Sequence, residues 1–314
     1  MKEREKLFLK RVILKVSCWI TPEWIAGLRQ AGVEVSENLE DPRDPEVEDK
    51  DRNKDKNKDL DPLNETLWIT DDPSLARDLA ARGRAVLAIL SEGGGDFSGV
   101  KYLCEGLEEL DATYLDRVYR RYAGIPWDIL ETERCYLRET TEEDVDAFYE
   151  IYREPSITQY MEDLFPDRDQ EIAYTRDYIR NVYEFYGFGV WTVCLKGTGQ
   201  VIGRAGLSYR EGFDEAELGF VIGLPWQRRG IAEEVCRAAL SFGREELGFQ
   251  TVIAFAEPEN TVSVRLLKRL GFTPAGEEIL RGLVHGMFRI RLSGETPARN
   301  SGFSATVIES HCTP

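Results

Sequence analysis

The sequence has 314 residues, with 57 acidic against 40 basic side chains, a formal net charge of −17 and 42% hydrophobic residues. That length and apolar share allow two packed cores. The acidic balance excludes general nucleic-acid binding, which needs a basic footprint. With only His285 and His311 present, histidine triads and multi-histidine metal sites are set aside, and acid–base chemistry falls to carboxylates, hydroxyls or water.

No apolar run reaches membrane-spanning length, and residues 1–6 lack the apolar stretch of a secretory signal. Cys18, Cys104, Cys135, Cys194, Cys236 and Cys312 are scattered, with no C-x-x-C pair, and read as buried thiols of a reducing compartment. The expectation is a cytoplasmic protein with no metal, no nucleic-acid partner and no membrane partner.

In chain order, the first elements expected are a strand over 11–18, a helix over 22–30 and a short strand at 33–35. A tract over 37–61, dominated by Asp, Glu, Lys and Asn, has too little apolar surface to offset its ordering entropy and is expected to be disordered. Structure resumes with a strand at 66–70, a helix at 73–82, strands at 85–90 and 100–104, and a helix at 112–122. Strands alternating with helices through short links predict a small parallel α/β, Rossmann-like domain over 1–130. Asp71-Asp72-Pro73 reads as a helix start, with a metal-holding aspartate pair as the lesser alternative, and Gly93-Gly94-Gly95 as a turn.

After a link over 123–133, the second half, 133–292, opens with a strand at 135–139 and a helix started by Thr141-x-x-Asp144, a capping-box pattern. A helix over about 169–185 follows, then strands at 190–195 and 201–209 around the Lys196-Gly197-Thr198-Gly199 turn. Among the aromatics here, Tyr160, Phe165, Tyr178, Tyr183, Phe185, Tyr186, Phe188 and Trp191 are divided between core positions and walls of an acceptor pocket. A strand at 215–222 is closed by Gly223-Leu224-Pro225. Beyond Gln227-Arg228-Arg229-Gly230, residues Ile231, Ala232, Val235, Cys236, Ala239 and Leu240 carry helical periodicity. A strand at 251–256 leads to Asn260, an N-cap, and a helix over 263–270 ended by Gly271 and Phe272. A last strand covers 283–292, and 293–314 reads as a frayed tail.

Two strand–loop–helix units in succession each present helix N–H groups that lack intrahelical acceptors, at the positive end of the helix dipole. Such a terminus accepts phosphate oxygens, and Arg228 and Arg229 stand beside the first. Gly230 admits close backbone approach, and Ala232 keeps its side chain small.

In order and spacing, Glu217-Leu218-Gly219-Phe220, the Q-x-x-G-x-A loop over 227–232, and Asn260-x-x-Ser263 running into Leu270-Gly271-Phe272 resemble the GNAT superfamily of acetyl-CoA dependent N-acetyltransferases. The likeness is strongest to its ribosomal-protein N-terminal acetyltransferases and covers about half the chain. The first half faintly resembles the haloacid dehalogenase fold, without an aspartate where its nucleophile would stand after the first strand, and is expected to be non-catalytic.

The resemblance implies a mixed, twisted sheet flanked by helices, with acetyl-CoA as co-substrate and no metal. Phe220, Val221, Ile222, Gln227, Arg228, Arg229, Gly230, Ile231, Ala232, Asn260, Ser263 and Lys268 would bind the coenzyme, with Arg265 among the cations near its phosphates. Glu217, in the family's E-L-G-[FY] position, is the first candidate base and Glu215 the second; a solvated or salt-bridged glutamate is the alternative for each. Ser263 is the candidate acid for the leaving thiolate or a donor to the coenzyme, since the tyrosine that many relatives carry on this helix is missing. The acceptor would be a primary amine, at a protein N-terminus or on a small molecule, acetylated by direct attack in a ternary complex. The competing expectation is an acyl-CoA-binding sensor or scaffold.

Overall fold

The computed structural model describes residues 7–17, 20–37, 63–90 and 94–292. The chain divides into two compact units between Ile125 and Pro126. Apart from Glu37, the tract expected to be disordered over 37–61 lies outside the described residues, as do the tail from 293, Cys18, Cys312, His311 and Gly93.

In the first unit, β1 (Arg11–Lys15), β2 (Glu34–Ser36), β3 (Thr66–Thr70), β4 (Val86–Ile89) and β5 (Tyr102–Cys104) form a sheet ordered β2-β1-β3-β4-β5, parallel throughout. A parallel sheet covered on both faces needs strands that are apolar at every position, and β4 is buried from end to end. Leu87 and Ile89 join one core with Leu28 of α1 (Pro22–Ala31) and Leu115 of α3 (Ala112–Ala123). Val86 and Ala88 join another with Ala76 and Leu79 of α2 (Pro73–Ala81). Asp72 caps α2 by accepting from the N–H groups of Ser74 and Leu75, while Asp71 accepts from the N–H and hydroxyl of Ser17.

The second unit has an eight-stranded sheet ordered β12-β13-β11-β10-β9-β8-β7-β6. Its strands are β6 (Asp128–Glu131), β7 (Cys135–Arg138), β8 (Val190–Leu195), β9 (Val201–Tyr209), β10 (Ala216–Ile222), β11 (Thr251–Ala256), β12 (Thr273–Leu280) and β13 (Leu283–Arg291). Its neighbours are antiparallel except β10 and β11, so the sheet is mixed. One face packs α8 (Ile231–Glu245) and α9 (Thr261–Leu270) through Val235, Ala239, Leu267 and Leu270. The other carries α4 (Val145–Tyr152), whose Phe148 and Ile151 pack with Val221.

Two strands lie where no strand was expected. β6 falls in the stretch read as a link, and β12 in a stretch with no assignment. β12 is exposed along nearly its whole length, and Pro274 and Gly276 flank a bulge, so it has no alternating apolar signal. It closes on β13 through Arg281 and Gly282, both at positive φ (54° and 78°), a two-residue turn whose twist suits a hairpin.

The helix expected over 169–185 is α6 (Arg168–Tyr178) continued by a π turn, Ile179–Tyr183, and a short α7 (Glu184–Tyr186). Residues five apart on an α-helix point about 140° away from each other. The wider turn brings Tyr178 and Tyr183 together edge to face, with ring centroids 5.1 Å apart. Both serve β8 beyond the end of β7, whose last register pair is Arg138 with Thr192. Val190 N–H donates to the Tyr178 hydroxyl at 2.8 Å, and the Tyr183 hydroxyl donates to Val190 O at 2.6 Å. Tyr183 is fully buried and also accepts from Thr140 N–H. Tyr183→Phe strands these buried main-chain groups and should lower unfolding free energy by about 1–3 kcal/mol in urea titration; unchanged stability would show that the hydroxyl is not needed there.

Candidate active site

β10 pairs with β9 along its full length, from Ala216–Tyr209 to Ile222–Gly203, but with β11 only at Ala216–Val252 and Glu217–Ile253. β11 stays with β13 as far as Ala256–Gly286. Past Glu217 the two parallel strands therefore part. Gly223 N–H donates to Ile202 O on the β9 side. By strand alternation, the main-chain groups of Gly219 and Val221 also face β9, while those of Phe220 and Ile222 face the gap. Gln227 Nε2 donates to Ile222 O at 2.9 Å and so spends its side-chain amide on that carbonyl.

The gap leads to the α8 N-terminus. Arg228 has φ 59° and Gly230 φ 78°, so the chain turns through two left-handed residues into the helix. Gly230 offers no side-chain cap, and Glu234 N–H to Gly230 O, 3.0 Å, is a first-turn helical bond. The N–H groups of Ile231, Ala232 and Glu233 come before it and lack intrahelical acceptors. Ile231 is buried in the core and Ala232 packs against it, which fixes the first turn. Arg228 and Arg229 are exposed, and the Arg229 guanidinium lies 5.3 Å from the Trp226 ring centroid.

A residue that sequence reading missed holds this loop. Arg134 Nη1 donates to Arg229 O and Nε to Glu234 Oε2, each at 2.7 Å, and its main-chain N–H reaches Glu234 Oε1 at 2.9 Å. These partners lie 95 and 100 residues away in sequence, so no local pattern announces them.

At α9, Asn260 is the N-cap, and its Oδ1 accepts from Ser263 N–H at 3.1 Å. Ser263 is half-buried, and among the described residues its hydroxyl has no hydrogen-bond partner. Arg265 folds back onto the first turn, with Nε donating to Thr261 O. Lys268 corrects the expectation of cations clustered at the two helix N-termini. It lies in the last turn of α9, where a cation complements the negative end of the dipole.

The two candidate bases are both ion-paired. Glu217, mostly buried, receives Arg210 Nε at 2.5 Å and Nη2 at 3.1 Å. Glu215, just before β10, receives Arg289 from β13 at 2.6 Å, and these bonds pull its carboxyl below the ordinary glutamate range. Arg210 also stacks 5.6 Å from the centroid of Phe255, which packs on Phe213. Of the aromatics weighed as pocket walls, Trp191, Tyr183 and Phe188 are core.

Residues 134–273 match the family described as an acetyltransferase (GNAT) domain. An uncharacterized N-acetyltransferase, p20, of Bacillus licheniformis is 30% identical over 153 residues, which is 48% of this chain and 84% of that protein. The ribosomal protein uS5-alanine N-acetyltransferase of Escherichia coli (strain K12) is 26% identical over 178 residues, 53% of this chain and 89% of that enzyme. A solved putative GNAT-family acetyltransferase from Bordetella pertussis superposes with TM-score 0.45 at 23% identity, over 52% of this chain and 99% of that one.

Because Arg134 and Glu234 form a partly exposed pair, Arg134→Ala should cost at most about 1 kcal/mol of global stability. Amide exchange at residues 229–234 should nonetheless accelerate by about tenfold, measured by mass spectrometry. Unchanged exchange there would show that the loop holds its shape without Arg134.

Proposed function

This chain belongs to the GNAT family of N-acetyltransferases, and from that premise we propose that it moves the acetyl group of acetyl-CoA directly to a primary amine, both substrates being bound together. The parting of β10 from β11 beside the α8 N-terminus carries this reading. Two parallel strands that separate expose main-chain groups which must find partners. The gap-facing groups of Phe220 and the N–H of Ile222 suit the amide-bearing pantetheine arm. The first-turn N–H groups of Ile231 and Ala232, with the dipole behind them, suit the pyrophosphate. Gly230, without a side chain, leaves that approach open, and Arg228 and Arg229 add positive charge at the rim. Asn260 and Ser263 would close the far side, with the Ser263 hydroxyl as donor to the sulfur region.

The coenzyme supplies an acyl thioester; the protein supplies position and a proton acceptor. The amine lone pair forms the new C–N bond, the C–S bond breaks, and the thiolate departs. Glu217 takes the amine proton, directly or through one water, and Ser263 would donate toward the thiolate. A thiol pKa near 8.5 makes that donor a minor contributor.

The protonation state of the amine itself bears on the acceptor class. Of a lysine-like amine near pKa 10.4, about one part in a thousand or less is neutral at pH 7. An α-amine near 7.7–8.0 is roughly a tenth neutral under the same conditions, so an α-amine fits better. The E. coli relative, named as a ribosomal protein uS5-alanine N-acetyltransferase, is in keeping with that class.

Glu217→Gln should lower kcat/KM by about 100-fold, in the range that general bases contribute. The loss should grow with amine pKa across a series of primary amines at pH 7, followed by thiol release. An equal loss for every amine would remove Glu217 from proton transfer.

A further inference from the structure

Beyond that reaction, one cation on the same face of the sheet is unexplained. Arg204 sits on β9 between Val221 of β10 and Thr192 of β8 in register. Among the described residues no carboxylate pairs with it, and its Nε is buried without a hydrogen-bond partner. A guanidinium held away from water normally has an anion or a full set of acceptors, because leaving it without them costs free energy.

Its surroundings are aromatic. The guanidinium lies 4.9 Å from the centroid of Phe148, and Tyr152, Tyr183, Tyr178 and Tyr174 are within electrostatic reach. Burial is the largest influence on it and acts against its charge. Arg204 is thus a cation set among tyrosines, of which Tyr174 is 48% exposed.

Register relates this cation to the proposed reaction centre. Directly opposed residues share a face, so Glu217 and Ser208 form one row, Gly219, Gly206 and Val190 the next, and Val221, Arg204 and Thr192 the third. The middle row is floored by two glycines. A Cβ at Gly219 would meet only the Val190 methyl at 3.7 Å, so the floor there is open. At Gly206 a Cβ would strike Gly189 O at 2.2 Å. Each outer row lies about 7 Å from the middle one at two residues' rise. The guanidinium packs on Phe148 and has Tyr152 as its hydrogen-bonding neighbour, both on α4 over this face.

We propose that Arg204 receives the carboxylate of the acceptor, so that the preferred substrate is a free α-amino acid lying over Gly219 with its amine toward Glu217 and its carboxylate toward the tyrosine ring. This rests on the acetyltransferase reading above. It adds a requirement that reading does not contain: an anionic group a few bonds from the reacting nitrogen. Tyr152 and Tyr174 would donate to the second carboxylate oxygen, and Phe148 holds the guanidinium plane in place.

The experiment compares kcat/KM for the L-amino acids with that for their carboxamides, using the full chain and acetyl-CoA, in the wild type and in Arg204→Met and Arg204→Lys. The carboxamides keep the α-amine and lose the charge. The wild type should favour at least one acid over its amide by about 10- to 100-fold, as expected for a charge-assisted pair. Arg204→Met should collapse that ratio toward one through KM for the acid, and Arg204→Lys should restore part of it. A thermal melt identifies any variant that has simply unfolded, and Arg204→Lys then carries the comparison. Amides used as well as or better than acids, peptides acetylated while no amino acid is, or an unchanged ratio in a folded Arg204 variant would each overturn the assignment while leaving the acetyltransferase reading intact. Failure to bind acetyl-CoA at all would overturn both.

Discussion

The second unit is organised by a broken pairing in the middle of its sheet. β10 is bound to β9 at every residue from Ala216 to Ile222, and β11 is bound to β13 at every residue from Thr251 to Ala256. Between them, pairing stops after Glu217 and Ile253. Each strand is held straight by its outer neighbour, so the gap cannot close without giving up an antiparallel ladder. Main-chain groups in the gap retain their hydrogen-bonding capacity, and such groups in a sheet interior do not stay without partners. Gln227 supplies one from the protein itself. The rest are the groups that the proposed reading assigns to an extended, amide-bearing ligand ending in an anion at the α8 N-terminus.

Around this gap, side chains act mainly to hold other groups. Arg134 fixes the loop before α8, Asn260 caps α9, and Arg289 occupies Glu215. Tyr178 at the end of α6 and Tyr183 on the π turn satisfy Val190 where β7 has ended. Among the described residues, positions with capacity to spare include the first turn of α8, the Ser263 hydroxyl, the gap face of Phe220, Arg204 Nε and Trp191 Nε1.

Sequence made some of this legible and hid the rest for identifiable reasons. The loop over 227–232 and the α9 cap were readable because capping is local: Gly230, Asn260, Gly271 and Asp72 act within a few residues of themselves. Strand pairs such as 190–195 and 201–209 were readable from apolar runs around a turn. β12 was not, because an exposed edge strand with a proline and a glycine has no buried face to mark it. The π turn was not, because an extra residue in a helix leaves composition unchanged. The partners of Glu217 and Glu215 differ in this respect: Arg210 is seven residues from Glu217, and Arg289 is 74 from Glu215. Both ion pairs arise from strand register, which a sequence does not print. The same holds for Arg204, whose neighbours come from α4, α6, the π turn and two strands.

The central claim is that backbone amides around Gly230, at the mouth of the β10–β11 gap, hold a coenzyme pyrophosphate. Titration calorimetry of acetyl-CoA into the full chain and into Gly230→Glu tests it most directly. The account predicts saturable one-to-one binding below millimolar concentration for the wild type. It predicts a loss of at least about tenfold in the variant, which sets a carboxylate where the anion would lie. No saturation in the wild type, or equal affinity in a folded Gly230→Glu chain, would contradict it.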